Sequence, residues 1–205
     1  MERITFEGAT GARLAARLDR PDGPHLATAL FAHCFSCSKD IAAARRVVLR
    51  FDFTGLGHSE GEFANTTFTS NVGDLVAAAQ WLAGEGLPPG LLVGHSLGGA
   101  ACLKAAREID SVRAVATIGA PFDPAHVTHN FADALDRIEA EGQAEVCLGG
   151  RPFTVGRDFV HDVDAARLGP AIAELDRALL VLHAPRDTVV GIDNATRIFT
   201  AAKHP

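Results

Sequence analysis

A serine sits at the centre of the pentapeptide Gly94-His95-Ser96-Leu97-Gly98. This pattern suits nucleophilic catalysis when a strand precedes it and a helix follows, because a sharp strand-to-helix turn lifts the hydroxyl clear of the chain. Both conditions hold here. Leu91-Leu92-Val93 is a short apolar run, and residues 97–109 are rich in Ala and Leu. So tight a turn needs small neighbours two residues to either side; Gly94 and Gly98 meet that need, and Gly99 and Ala100 extend it. The same turn aims the Leu97 N–H at the place where an oxyanion would form, and the helix N-terminus adds a favourable partial charge. Ser96 is the expected nucleophile of an acyl-transfer reaction, and Leu97 an expected oxyanion donor.

The elements that must carry this turn are legible around it. Residues 3–6 and 13–18 alternate apolar and polar and read as an antiparallel hairpin at a sheet edge, stopped by Pro21 to Pro24. Continuously apolar runs follow at 27–32, 47–51, 91–93, 112–118 and 178–182, the pattern of strands buried on both faces of a parallel sheet. Helical patterns lie between them at 72–83, 97–109 and 193–203. The alternation predicts an α/β fold, a doubly wound, mostly parallel sheet with the N-terminal hairpin at its edge. Residues 121–170 interrupt it. A helix over 131–140 and a hairpin about Gly149-Gly150 are expected there, and an insertion this long reads as a small cap within one domain spanning 1–205.

Composition bounds the function. The chain has 205 residues, 47% hydrophobic and 21% charged, enough for one sizeable core. Its net charge is −6, from 25 acidic against 19 basic residues, which argues against nucleic acid as the main partner. No apolar run is long enough to cross a bilayer, and the first residues lack a signal-peptide core, so a cytoplasmic location is expected. Cys34, Cys37, Cys102 and Cys147 are too few for a disulfide scaffold.

The Ser96 pentapeptide, the stretch Ala32-His33-Cys34-Phe35, the stretch from Asp52 to Gly61 and His183-Ala184-Pro185-Arg186-Asp187 together resemble α/β-hydrolases. Residues 31–40 and 119–127 resemble more closely the hydrolase half of bacterial bifunctional proteins that carry an OsmC-type peroxide-reductase domain behind it. The resemblance covers almost the whole chain. It implies that Phe35, after His33-Cys34 where many relatives have His-Gly, supplies a second oxyanion N–H. It also implies that Asp187 is the triad acid. The residues agree on the second point, since a carboxylate on the loop after a parallel strand lies at the same sheet edge as Ser96.

Two departures from the family pattern stand out. In relatives the histidine follows the acid by a helix and a further strand, whereas residues 188–205 suffice only for the helix, and His204 comes too early. The general base is therefore expected outside these residues, and the domain reads as incomplete. Residues 35–46 are also short for the crossover between two parallel strands, so a segment before Val47 reads as truncated or missing.

The other candidate groups read as structural. His33 and His183 end strands, His95 should point away from the serine hydroxyl, and His126 and His129 flank the cap entrance; none is favoured as the base. His126-x-x-His129 lacks a third ligand, so no metal is expected. Cys34-x-x-Cys37 sits where no thioredoxin-like unit begins, and its thiols, like those of Cys102 and Cys147, read as packing groups. Gly55, Gly57 and Gly61 lack the Lys and Ser/Thr of a phosphate loop, and Asp52 and His58 beside them read as structural.

The leading reading is a serine hydrolase acting on a small ester, thioester or similar acyl compound, without a cofactor. The alternatives are a non-catalytic ligand-binding or accessory domain and a perhydrolase-like variant. The expected partners are a small acyl substrate and an OsmC-type domain in a longer chain, with a homodimer left open and no membrane or nucleic acid.

Overall fold

A computed structural model of the chain describes residues 1–20, 22–23, 25–40 and 49–203. The strands are β1 (Glu2–Glu7), β2 (Arg13–Leu18), β3 (Ala29–Ala32), β4 (Leu49–Phe51), β5 (Leu91–His95), β6 (Ala114–Ile118), β7 (Gln143–Leu148), β8 (Arg151–Gly156) and β9 (Ala178–Leu182). Leu14, Ala16 and Leu18 of β2 are buried while the residues between them are partly exposed, the period of a half-buried edge. β1 and β2 form the expected antiparallel hairpin, in register from Glu2–Leu18 to Glu7–Arg13. β2 pairs antiparallel with β4, and from there the sheet runs parallel in the order β4, β3, β5, β6, β9. This is the doubly wound, mostly parallel α/β sheet that the apolar runs predict. The expected truncated crossover ends, and the expected strand begins, within residues 41–48, outside the described residues.

The helices are α1 (Phe68–Gly84), α2 (Leu97–Ala105), α3 (Leu135–Glu141), α4 (Arg157–Ala165), α5 (Leu168–Ala173) and α6 (Asp193–Ala201). α1 starts four residues before the apolar stripe. Thr67 caps it: its hydroxyl accepts from the Ser70 N–H at 3.0 Å, and the Ser70 hydroxyl accepts from the Thr67 N–H at 2.9 Å. β6 starts later than its apolar run, because the Val112 N–H closes a turn onto the Ile109 carbonyl at 3.0 Å. The segment between β6 and β9 opens with a 3₁₀ run over Pro124–Ala134. The expected helix begins only at Leu135, because Phe131 takes a non-helical backbone conformation and buries its ring. β7 and β8 make the expected hairpin, with Gly149 and Gly150 at φ 57° and 77°. Positive φ at both central residues is what a tight two-residue turn demands, and glycine supplies it without a steric penalty.

One buried charge fastens the segment after β3. Asp52, just past β4, is fully buried. Its carboxylate accepts from the Lys39 N–H at 2.7 Å, the Lys39 Nζ at 2.6 Å and the His58 N–H at 3.0 Å. Gly57 sits at φ 58°, and a Cβ there would lie 2.3 Å from that carboxyl group. Lys39 is itself buried, so each charge depends on the other. Removing one partner of a buried pair leaves an uncompensated charge, at a cost of about 3–5 kcal/mol. Asp52→Ala is expected to lower the urea unfolding free energy by that amount. An unfolding midpoint unchanged from wild type would refute the anchoring role.

Candidate active site

β5 ends at His95, and the chain reverses at Ser96 to start α2 at Leu97. Ser96 has φ 54° and ψ −126°, one of two non-glycine residues with positive φ among those described. A side chain tolerates this conformation only where the surroundings enforce it. Here they do. The Ser96 N–H donates to the Ile118 carbonyl at the end of β6 at 2.9 Å, and the Gly99 N–H donates back to the Ser96 carbonyl at 2.8 Å. A Cβ on Gly94 would lie 2.4 Å from the Gly98 carbonyl oxygen, and one on Gly98 would lie 2.4 Å from the carbonyl oxygens of Ala32 and His33. Both contacts are with backbone, which has no slack. The glycines therefore let α2 touch its own strand and the loop after β3. The Leu97 N–H, in the first turn of α2, has no intrahelical acceptor.

The loop after β3 carries Phe35, and a neighbouring histidine orients it. His33 is buried, and its Nε2 accepts from the Phe53 N–H at 3.3 Å while its Nδ1–H donates to the Cys34 carbonyl at 2.8 Å. The Cys34 carbonyl also accepts from the Cys37 N–H at 3.2 Å. Carbonyl and N–H of a trans peptide point in opposite directions. Holding the Cys34 carbonyl therefore turns the Phe35 N–H the other way, and among the described residues that N–H donates to no protein acceptor. Burial pushes the His33 pKa down to about 4, against the Cys34 hydrogen bond and the Asp52 charge, which raise it. The ring is neutral in the tautomer that both bonds require.

Asp187 lies on the loop after β9. Its Oδ1 accepts from the N–H groups of Val189 and Val190, both at 2.9 Å. Partial burial acts to raise its pKa, but the Val190 and Val189 hydrogen bonds, with the His183 and His95 rings, outweigh it and hold the carboxyl below the usual range. The other oxygen, Oδ2, is 3.8 Å from His183 Nε2 and would lie 3.2 Å from a Cβ on Gly119, the residue after β6. The acid thus sits over the carboxyl end of the strand next to β5, at the same sheet edge as Ser96.

None of the described histidines is hydrogen-bonded to both Ser96 and Asp187. His183 Nε2 bonds the Val190 carbonyl at 2.7 Å and His126 Nε2 the Val189 carbonyl at 2.7 Å. His95 is held neutral by burial, which lowers its pKa against the opposing charge of Asp187. Beyond Asp187 an open cavity of about 860 Å³ is lined by His126, His129, Asp187, Asp193 and Arg197, among others. Behind the loop of Phe35 the space is only about 10 Å³, too small to hold more than a single water.

The cysteines depart from the sequence reading. Cys34 and Cys37 are joined by a disulfide and are not packing thiols. Cys102 is buried as expected, and burial pushes its thiol pKa up, but Cys147 is exposed, on the outward side of the alternation in β7. Ligand atoms of Cys34, Cys37 and His95 lie within 4.8 Å of one another, yet disulfide sulfurs are not the thiolates a metal needs.

The family model for the alpha/beta hydrolase family matches residues 25–200. The chain belongs to the alpha/beta hydrolase family. Among solved structures it is similar to the esterase domain of a Rhodothermus marinus protein, at 48% identity over 100% of this chain and 84% of that one, with a TM-score of 0.76. It shares its fold with ferulic-acid-bound Est1E from Butyrivibrio proteoclasticus, at 19% identity over 98% of this chain and 86% of that one, TM-score 0.77. Alpha/beta hydrolase domain-containing protein 10 from mouse, at 19% identity over 100% and 86%, TM-score 0.72, shares it too. No curated protein sequence matches the chain. No helix among the described residues is long and apolar enough to cross a membrane.

In this hydrolase the loop of Phe35 should depend on a neutral His33. A histidine whose pKa is lowered on folding binds more protons when unfolded, so its contribution is complete above its ordinary 6.5 and is lost as pH falls toward 4. The expected loss over that window is about 3 kcal/mol. His33→Asn, which keeps a donor near the Nδ1 position, is expected to flatten the profile of unfolding free energy between pH 6.5 and 4. An equally steep profile in the variant would assign the pH dependence elsewhere.

Proposed function

We propose that the chain is a serine esterase acting on small acyl compounds, with Ser96 as nucleophile. Ser96 Oγ attacks the substrate carbonyl, and the negative charge that develops on its oxygen is received by the N–H groups of Leu97 and Phe35. Preformed donors of this kind stabilise a transition state by a few kcal/mol each, because they need no reorganisation as charge appears. The observation that carries the reading is the left-handed backbone of Ser96, held at φ 54° by contacts with β3, β6 and α2 that leave no room for a side chain at Gly94 or Gly98. Strain of this kind is retained where it serves a site. The 48% identity to an esterase domain points the same way.

Asp187 is the acid of the triad. Its ionised carboxylate would accept the Nδ1–H of a histidine, hold the tautomer that leaves Nε2 free to take the serine proton, and stabilise the imidazolium that forms. Of the described histidines near it, His126 and His183 are committed to backbone carbonyls. The base would therefore approach from the outer edge of β9, where Leu180 and Leu182 are 55% and 46% exposed and no strand pairs among the described residues. The tight space behind Phe35 directs the substrate's bulk toward the open cavity beyond Asp187.

Free imidazole can stand in for such a base. A fluorophosphonate probe, with its adduct located by peptide mass mapping, is expected to label Ser96 of residues 1–205, and to do so at least tenfold faster with added imidazole, given that general-base catalysis contributes about 10²–10⁴-fold. Ser96→Ala is expected to remove the label, and Asp187→Asn to remove most of the imidazole-dependent rate. Absence of any label, with or without imidazole, would overturn the esterase reading in favour of a binding domain of the same fold.

A further inference from the structure

The Cys34–Cys37 disulfide brackets Phe35 on the loop that follows β3. Its sulfurs belong to partly exposed residues. As a staple it does little. The bond closes a loop of sequence separation 3, and so short a ring removes little entropy from the unfolded chain. The same loop is already fastened by the His33 and Cys37 hydrogen bonds to the Cys34 carbonyl, by the Lys39–Asp52 pair, and by Arg151 of β8, whose guanidinium donates to the Ser36 carbonyl. Of these contacts only the Cys37 N–H bond to the Cys34 carbonyl also spans Phe35, and the disulfide is the one covalent link across it.

The surroundings fit thiol–disulfide exchange. A ring nitrogen of His95 lies within 4.8 Å of the sulfur atoms, and the His95 Nδ1 is buried without a hydrogen-bond partner. Burial keeps that ring neutral, which leaves it a nitrogen lone pair able to accept a hydrogen bond from a released thiol. An accessible disulfide beside a proton acceptor is the labile kind, in contrast to one sealed in a core. The remaining cysteines take no part, Cys102 being buried and Cys147 lying on the cap hairpin.

We propose that Cys34 and Cys37 are a redox-active pair, and that their reversible reduction by a dithiol loosens the peptide of Phe35 and switches the site off. One thiolate of the dithiol attacks a sulfur of the pair and the Cys34–Cys37 bond breaks, giving a mixed disulfide and a cysteine thiolate that takes a proton from solvent. The second thiol of the reductant, deprotonated, then attacks its own partner sulfur in the mixed disulfide. It leaves as a cyclic disulfide, and the second cysteine is protonated. The protein gains two electrons and two protons, which the dithiol loses. The effect on catalysis rests on the esterase reading above; the exchange chemistry and the loosening of the loop do not.

The wild-type chain is equilibrated in buffers of reduced and oxidised dithiothreitol, and the peptide bearing Cys34 and Cys37 is followed by alkylation and mass spectrometry. Amide hydrogen exchange over residues 33–40 is measured on the same samples, with circular dichroism as the check on folding. Reversible reduction is expected, with exchange in that peptide at least tenfold faster in the reduced form and restored on reoxidation. Cys37→Ser is expected to match the reduced wild type. A pair that stays oxidised in excess dithiothreitol, or exchange rates equal in the two states, would overturn the proposal. Fluorophosphonate labelling of Ser96, with imidazole present, is expected to fall at least tenfold on reduction. Failure to label in either state would refute the esterase reading and leave hydrogen exchange to decide the switch.

Discussion

The site depends on how closely helix α2 approaches the end of strand β3. At Gly98 the gap is so small that a Cβ would lie 2.4 Å from two carbonyl oxygens, and at Gly94 the strand meets the helix that follows it equally tightly. This approach brings the first-turn N–H groups of α2 beside the loop of Phe35, two elements otherwise separated in the chain by two crossovers of the sheet. The positive φ of Ser96 accompanies this close approach of strand and helix. The serine turn and the packing of α2 on the loop of Phe35 are one constraint. A substitution that opened the gap would lose both together.

That constraint needs a rigid partner on the β3 side, and the polar groups of the loop supply it. His33 bonds the Phe53 N–H on one side and the Cys34 carbonyl on the other. Asp52 fixes Lys39 at the far end of the same loop by both backbone and side chain. The β7–β8 hairpin adds Arg151 on the Ser36 carbonyl, and the rings of Phe63 and Phe159 pack on Phe35 with centroids 5.2 and 4.7 Å away. Sheet, loop and hairpin therefore meet at one peptide. Burial of His33, Lys39 and Asp52 keeps their bonds strong, because an unmade hydrogen bond there has no water to replace it.

Much of this was legible in the sequence, and for identifiable reasons. The turn at Ser96 is local: strand, small residues and helix are contiguous, so pattern reading locates it. Asp187 follows because a loop after a parallel strand can only lie at one sheet edge. The β7–β8 hairpin was marked by Gly149-Gly150, whose backbone few other residues can adopt. The functional part of the His33 loop was not legible. Its bonds run to Phe53, Asp52 and Arg151, residues distant in sequence, and no periodicity announces them. The Cys34–Cys37 bond was missed for a different reason. The spacing was visible, but whether two thiols pair depends on the direction of their side chains, and that is set by a tight turn whose closing bond joins Cys37 N–H to the Cys34 carbonyl.

The histidines show how the fold divides its polar groups between structure and chemistry. Each described histidine near the sheet's carboxyl edge has a nitrogen engaged by backbone or is buried and held neutral: His33 at Cys34 and Phe53, His126 at Val189, His183 at Val190, His95 beneath the serine turn. His33, His126 and His183 cannot rotate to relay a proton without breaking the bonds that position them. Asp187 is arranged in the opposite sense. One oxygen is tied down by two backbone N–H groups, which fixes the carboxylate and keeps it ionised, and no hydrogen bond reaches the other from the described residues. An acid with one oxygen anchored and the other available is the arrangement that the proposed triad role requires. The histidines that surround it hold the frame against which that partner would have to work.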